Sequence, residues 1–235
     1  MAAPMSRMPK RYLWIAALVA AVLAVAAVAL STFGSNDYAG VVSIEKTAEY
    51  HDPQLLARAW QLPVAALYRA DFDYQHNQSF CGPTSAVDVL RSLGQHETQT
   101  SVMAGSGITT FLGFIPGGLT LDDEAALLRK KTGAPVEVER DLSLAAFRAE
   151  LAHANDLSLR YVINFTRGPL FGRGHGHHSP ILGYLADDDL VFIGDVNHDY
   201  QPWLVKSERL FQAMDTVDSA SGRKRGLILI RVGAR

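Results

Sequence analysis

The pattern of apolar and polar positions separates an amino-terminal apolar run from a mixed remainder. Residues 13–30 form an unbroken apolar run, which follows the basic residues Arg7, Lys10 and Arg11. A helix of that length nearly spans a hydrocarbon core of about 30 Å. Because positive charge precedes the run and none follows it immediately, we expect the amino terminus to stay in the cytoplasm while the remainder is exported.

This apolar run is compatible with two fates for the amino-terminal segment. The sequence Ala27-Val28-Ala29 suits a signal peptidase, whereas the run is longer than the apolar region of a usual secretory signal. We therefore expect residues 1–34 either to anchor the protein in the inner membrane or to be cleaved on secretion to the periplasm. Residues 35–58 are predicted to form a linker and lead-in segment, and residues 59–235 a single catalytic domain.

Helical patterns dominate the first part of that domain. Apolar positions at helical spacing predict a helix over 82–93. Thr120 with Asp123 three positions later is a capping-box pattern, which predicts a second helix that ends at Gly133. A third helix is predicted to follow Ser143, because its apolar residues mark one face.

The second half of the domain is typical of strands. Short segments rich in Val, Ile, Leu and aromatic residues lie at 161–165, 180–185, 190–196 and 227–232. Three aspartates at 187–189 form a polar turn, so the second and third strands should pair as a hairpin. The predicted fold class is α+β, with helices first and a mainly antiparallel sheet after them.

Composition and charge exclude several function classes. With 48% hydrophobic and 20% charged residues, the chain of 235 residues lies in the globular range. Its 22 Lys and Arg against 24 Asp and Glu offer no broad basic field, so we expect no nucleic-acid partner. The single cysteine, Cys81, can form no intrachain disulfide and no multi-thiolate metal site, so it needs an explanation of its own.

The surroundings of Cys81 favour a nucleophile over a buried apolar residue. Polar residues precede it at 75–79, and a helix is predicted to follow it at once. Free backbone N–H groups and the helix dipole at that position favour thiolate over thiol. We therefore expect Cys81 to be alkylated faster than a free thiol near neutral pH.

A thiol nucleophile needs a base and a group that orients the base. The segment 176–180 contains His177 and His178, and the predicted hairpin returns Asp195 close to them. Papain-like enzymes use this order, with the cysteine opening a helix and the histidine and acid on neighbouring strands. Either histidine is a candidate for the base on this geometry.

Two segments make the resemblance specific. The sequence QHNQSFCGPTSAVDVLRSLG at 75–94 and the sequence GHHSPILGYLADDDLVFIGDVN at 176–197 resemble the phytochelatin synthase family. Further similar stretches are GGLTLDD, INFTRG and WLVKSERLFQAMDTVDS, and the resemblance covers about 59–232. In this register the family's histidine and aspartate correspond to His177 and Asp195 rather than to His178 or Asp199. The resemblance therefore implies that His177 is the base, and that His178→Ala and His175→Ala should be tolerated much better than His177→Ala.

This resemblance implies a papain-like cysteine peptidase fold and an activity on glutathione. The implied enzyme is a glutathione gamma-glutamylcysteine dipeptidyltransferase or glutathione hydrolase. Cys81 would attack the Cys–Gly bond, release glycine and form a gamma-glutamylcysteinyl acyl-enzyme, which water or a second glutathione resolves. Gln75 would join the Cys81 N–H in an oxyanion hole.

The resemblance also suggests substrate contacts and partners. Asn164 and Arg225 stand where the family places polar residues toward the substrate, with Arg225 suited to the gamma-glutamyl carboxylate. For Arg225, a solvated charge in its basic run is the competing interpretation. We expect glutathione and the membrane as partners, with a homodimer as a further option.

No resident metal or cofactor is expected. The chain shows no cysteine-rich extension after its final predicted strand, so metal-thiolate sensing as in the plant enzymes is in doubt. Zinc or cadmium could still stimulate the reaction through metal–glutathione thiolates. The short bacterial members of the family resemble the chain better, and for them hydrolysis is expected to dominate.

Two other functions stay open. His175, His177 and His178 could belong to a zinc- or copper-binding module, with Asp195 or Asp199 as a further ligand. Alternatively, the nucleophile segment is also similar to exported peptidases of the bacteriocin-leader-processing type. The histidine segment and the AMDTVDS stretch favour the phytochelatin synthase family over those peptidases.

Overall fold

The computed structural model describes residues 10–33 and 38–233. Its helices are α1 (Lys10–Phe33), α2 (Pro53–Ala59), α3 (Pro63–Tyr68), α4 (Cys81–Ser92), α5 (Leu121–Thr132), α6 (Leu144–Leu151), α7 (Gly168–Phe171) and α8 (Ser207–Met214). Its strands are β1 (Val136–Glu139), β2 (Leu159–Thr166), β3 (Gly176–Leu185), β4 (Leu190–Ile193), β5 (Trp203–Lys206) and β6 (Leu227–Arg231). Within these residues the strands form one antiparallel sheet in the order β1-β6-β2-β3-β4-β5.

Parts of the predicted export segment and linker lie outside the described residues. These parts are residues 1–9, which include Arg7, and residues 34–37, where the predicted linker begins. The predicted apolar run falls within α1. Among the residues that the structure describes, no helix is long and apolar enough to cross a membrane.

The central strand β2 sends side chains to both sides of the sheet. Tyr161, Ile163 and Phe165 pack in one hydrophobic cluster, which also contains Trp203. Val162, between them, packs in a second cluster with side chains of α4 and α5. This division follows from the two-residue period of a strand. Because both faces of β2 are covered, polar side chains on this strand are buried as well.

The helices predicted from local patterns are confirmed. The Thr120 hydroxyl accepts the Asp123 N–H at 3.2 Å, and the Asp123 carboxylate accepts the Thr120 N–H at 3.1 Å. This capping box starts α5, and Gly133 ends it in the left-handed region with φ 65°. Ser143 caps α6. Helix α4 begins at Cys81 itself, so the thiol stands in the first turn.

The predicted hairpin is confirmed, but its first strand is longer than the pattern indicated. β3 and β4 pair antiparallel, with Asp189 in the left-handed region at the turn. Because β3 starts at Gly176, His177 and His178 lie inside the strand rather than before it. Strands β1 and β5, of four residues each, were not predicted. Helices α6, α7 and α8 lie between strands, so the order is more mixed than helices followed by sheet.

The lead-in segment before α2 packs against the domain. Ile44 and Tyr50 belong to the same hydrophobic cluster as Trp203. The guanidinium of Arg209 in α8 donates to the Val42 carbonyl at 2.7 Å. Residues 38–52 are therefore held by core contacts and by a hydrogen bond to α8.

Candidate active site

A cleft of about 790 Å³ opens at the amino-terminal end of α4. Of the site residues predicted from sequence, all except Asp195 line it: Gln75, Cys81, Asn164, His177 and Arg225 lie around one space. His178, which was not predicted as a site residue, lines the cleft as well. The cleft is bounded by the start of α4, the ends of β2 and β3, and the loop that precedes β6. Residues far apart in sequence therefore meet where the sheet and α4 come together.

The Cys81 thiol is buried, with only 6% of the residue exposed. Burial raises its pKa to about 11, against the opposing effect of the His178 and Gly82 backbone N–H groups. The negative charge of Glu124 adds to the increase. Burial thus opposes the expected thiolate at rest, because desolvation outweighs the favourable backbone groups.

His177 is oriented by a buried carboxylate. Its Nε2 lies 2.9 Å from Asp195 Oδ1, so the Nε2–H donates to Asp195 and Nδ1 is left to take a proton. Burial lowers the pKa of His177 to about 4, and the positive charge of Arg167 acts in the same direction. These two pKa values favour a neutral imidazole and a neutral thiol in the same cleft at rest.

Asp195 is fully buried and receives four donors. Besides His177, its carboxylate accepts the Trp203 Nε1–H at 2.9 Å, the Asn197 N–H at 2.9 Å and an Arg167 N–H at 2.8 Å. Burial alone would raise its pKa, but the charge of Arg167 and the hydrogen bonds from His177 and Arg167 outweigh that effect and hold it below the usual range. The carboxylate therefore stays ionised.

Arg167 is a site residue that the sequence analysis did not assign. Its guanidinium lies 3.8 Å from the centroid of the Tyr200 ring, and its Nη2 binds Asp195. Its Nη1 is buried without a hydrogen-bond partner in the described part of the chain. The INFTRG stretch was the available signal, since it places an arginine directly after the central strand.

His178 faces the opposite side of β3 and belongs to a second buried polar group. Its Nδ1 forms an ion pair with Glu124 of α5, and its Nε2 lies 2.7 Å from Asn164 Nδ2 and 3.0 Å from the Leu119 carbonyl. Burial raises the pKa of Glu124, whereas His178 opposes that increase. The burial of His178 and its pairing with Glu124 do not support the expectation that His178→Ala is tolerated. The sequence analysis did not assign Glu124, because its partner is distant in sequence.

Arg225 turns inward, away from its basic neighbours. Its Nη1 donates to Asn164 Oδ1 at 2.9 Å, and its Nη2 pairs with Asp218 Oδ1 at 3.3 Å. Arg223 and Lys224 instead pair with surface carboxylates. Only 7% of Arg225 is exposed, which contradicts the solvated interpretation. Burial lowers its pKa, and the charge of Asp218 opposes that effect.

Gln75 lies in the loop before α4, on the same cleft as Cys81. Its backbone N–H donates to the Val196 carbonyl at 2.8 Å, which ties this loop to the segment that carries Asp195. One side-chain N–H donates to the Asn77 carbonyl at 3.1 Å. The second N–H is left for another acceptor.

The three neighbouring histidines do not converge on one point. His177 pairs with Asp195, His178 pairs with Glu124, and His175 lies in the loop before β3. In residues 10–33 and 38–233, no group of three or more His, Cys, Asp and Glu side chains is placed to hold a metal ion. This geometry does not favour the metal-binding module.

Comparisons with known proteins agree with this geometry. A family model described as phytochelatin synthase matches residues 49–227. Glutathione gamma-glutamylcysteinyltransferase 3 of Lotus japonicus is 36% identical over 117 residues, which cover 48% of this chain and 24% of that protein. The glutathione gamma-glutamylcysteinyltransferase of Schizosaccharomyces pombe is 30% identical over 93 residues, which cover 39% of this chain and 22% of that protein. The chain thus spans about a quarter of the length of these relatives.

A solved structure described as a C39-like peptidase from Bacillus anthracis is similar in fold. The match has a TM-score of 0.50 and 16% identity, and it covers 72% of this chain and 98% of that one. At this identity the likeness concerns the fold alone. It confirms the predicted α+β fold of the papain-like peptidases.

The raised pKa of Cys81 predicts slow alkylation at neutral pH. Two pH units separate about 11 from the ordinary value of 9.0, so at pH 7 the thiolate should be about 100-fold scarcer than for a free cysteine. The iodoacetamide rate should therefore rise roughly tenfold per pH unit from pH 7 to 10. A rate that is already constant below pH 7 would instead indicate a preformed thiolate–imidazolium pair.

The buried Glu124–His178 pair predicts a stability effect. His178→Ala leaves the Glu124 carboxylate buried without its partner, so the free energy of unfolding should fall by about 3–5 kcal/mol. Urea denaturation measures this change. His175→Ala, in the loop before β3, is the matched control and should stay within about 0.5 kcal/mol. A loss below about 1 kcal/mol for His178→Ala would show that the pair contributes little.

Proposed function

The chain belongs to the phytochelatin synthase family, and on this premise we propose that it is a glutathione gamma-glutamylcysteinyltransferase that also hydrolyses glutathione. One observation carries the proposal. The cleft that holds Cys81 and His177 also holds the ion pair of the buried Arg225 with the partly buried Asp218. A nucleophile with its base thus lies in one space with a cation and an anion.

This pair of opposite charges fits the gamma-glutamyl end of glutathione. That end carries an α-carboxylate and an α-ammonium group on one carbon. Arg225 offers a guanidinium to the carboxylate, and Asp218 offers a carboxylate to the ammonium. Asn164 holds Arg225 in place from the opposite side. A general peptidase cleft has no need for such a zwitterion site.

The first chemical step is acyl transfer to the cysteine. The Cys81 thiol passes its proton to His177 Nδ1 while the sulfur attacks the carbonyl carbon of the Cys–Gly peptide bond. The C–N bond then breaks, and His177 gives that proton to the departing glycine nitrogen. A gamma-glutamylcysteinyl thioester on Cys81 remains, and Asp195 keeps the imidazole in the required tautomer throughout.

The oxyanion of that step needs donors in the cleft. The Cys81 backbone N–H stands at the open start of α4, and Gln75 has one side-chain N–H not used by Asn77. A preorganised donor of this kind is worth about 100-fold or more in rate. These two groups are the oxyanion hole of the proposed mechanism.

The second step resolves the thioester. Water releases gamma-glutamylcysteine, or the α-amine of a second glutathione attacks and lengthens the peptide. In both cases His177 takes a proton from the nucleophile and returns it to the Cys81 sulfur. Zinc or cadmium would enter this reaction as thiolate complexes of glutathione, which makes the metal a part of the substrate. We expect hydrolysis to dominate.

Product analysis tests the proposed function. The purified full chain, given glutathione, should release glycine with or ahead of gamma-glutamylcysteine, and Cys81→Ser should release neither. Mass spectrometry of the products, with and without zinc or cadmium, measures both channels. Free glutamate together with cysteinylglycine would mean cleavage at the gamma-glutamyl bond and would contradict the proposal.

We also propose that the catalytic domain is exported, as a secreted or an anchored protein. The proposal is supported by the apolar run at 13–30 and the basic residues before it. Alkaline phosphatase fused after residue 235 should therefore be active, and a reporter that works only in the cytoplasm should be silent. The reverse pattern of reporter activity would refute export.

A further inference from the structure

The lead-in segment brings a tyrosine to the active-site cleft. Tyr38 lines the same cleft as Cys81 and Arg225, although it lies more than forty residues before the nucleophile. The phytochelatin synthase model begins its match at residue 49, so Tyr38 stands outside the matched part of the chain. Family similarity therefore assigns nothing to this side chain.

The backbone around Tyr38 is fixed to the domain. Its N–H donates to the Gly172 carbonyl at 2.8 Å, directly after α7. Arg209 binds the Val42 carbonyl at 2.7 Å, and Ile44 is buried in the main core with 2% exposure. We call residues 38–44 the strap. Hydrogen bonds and core packing along the strap hold Tyr38 against the cleft.

The aromatic ring of Tyr38 packs directly on Gly168. A Cβ added at position 168 would collide with three atoms of that ring. Gly168 starts α7 immediately after Arg167, which binds Asp195. Because the ring lies so close, a side chain larger than that of glycine does not fit at position 168. The contact places the Tyr38 ring beside the end of β2, next to the active site.

Tyr38 also lies near Arg225. This residue and Asp218 form the pocket proposed for the gamma-glutamyl end of glutathione, called the head-group pocket below. Tyr38 lies close enough to affect the charge of Arg225. A negative charge on its phenol would raise the pKa of the Arg225 guanidinium, and the Asp218 carboxylate acts in the same direction. Arg225 in turn lies against Gly176, where an added Cβ would be 2.6 Å from its Nη1. The ring and the guanidinium therefore share one end of the cleft.

We propose that Tyr38 is a specificity-determining residue whose ring forms a wall of the pocket for the amino-acid head group. The identity of that head group as gamma-glutamyl rests on the proposed function. The position of the ring as a wall is independent of the proposed function, because it follows from the contact with Gly168 and from the place of Tyr38 in the cleft. The strap thus adds a substrate contact from outside the residues that the family model matches.

Kinetics with glutathione test the wall. Tyr38→Ala should raise KM about 5- to 10-fold and leave kcat within about twofold, because a binding contact is lost away from the reacting atoms. Tyr38→Phe keeps the ring and should stay within about twofold in both. Val42→Ala changes an exposed side chain of the same strap and is the matched control.

A second pair of variants distinguishes a direct role of the Tyr38 ring from a general loosening of the cleft. Gly168→Ala forces the ring away, so it should raise KM as Tyr38→Ala does. The double variant should be no worse than Tyr38→Ala alone, because the added methyl then has no ring to displace. Independent, multiplying effects of the two changes would overturn the proposal, as would an unchanged KM in both single variants.

A labelling experiment keeps the test independent of the substrate. At pH 9, the ratio of Cys81 labelling by a bulky fluorescent maleimide to labelling by iodoacetamide should rise about fivefold in Tyr38→Ala, since the cleft widens. If the wild-type chain releases no glycine from glutathione, the proposed function is wrong. The labelling ratio then tests by itself whether the Tyr38 ring forms a wall of the cleft. An unchanged ratio in a folded Tyr38→Ala protein would overturn the inference.

Discussion

The buried carboxylate of Asp195 is the constraint on which the active site depends. A fully buried charge is costly unless several donors compensate it, and here four donors come from β3, from β5, from the end of β2 and from the segment after β4. These elements must meet at one point for the ion to be tolerated. The same requirement orients His177 through its Nε2 and leaves its Nδ1 to take a proton.

The two adjacent histidines serve different structures because side chains alternate along a strand. His177 lies opposite Phe165 on the face of the main cluster, 5.5 Å from it between ring centroids. His178 lies opposite Asn164 on the face of α4 and α5, where it meets Glu124. A shift of one residue in register would exchange them, and neither would then find its carboxylate.

Two buried polar groups therefore flank the Cys81 thiol, and they have different tasks. In the proposed mechanism, the group around Asp195 handles the proton through His177. The other runs from Glu124 through His178 and Asn164 to Arg225, which is the cation of the proposed head-group pocket. Because desolvation raises the pKa of the thiol, the proposed mechanism has its proton leave only when attack occurs. Catalysis in such a site depends on general-base transfer more than on a standing thiolate.

The sequence by itself determined the parts that depend on local interactions. The capping box at Thr120, the helix that Cys81 opens and the hairpin that returns Asp195 to His177 all follow from contacts between residues near in sequence. The family motifs likewise identified the nucleophile segment. The tertiary structure alone decided the partners of Arg225, the pairing of Glu124 with His178, and the raised pKa of the thiol. These features depend on burial and on contacts between distant segments, and a linear pattern carries no information on either.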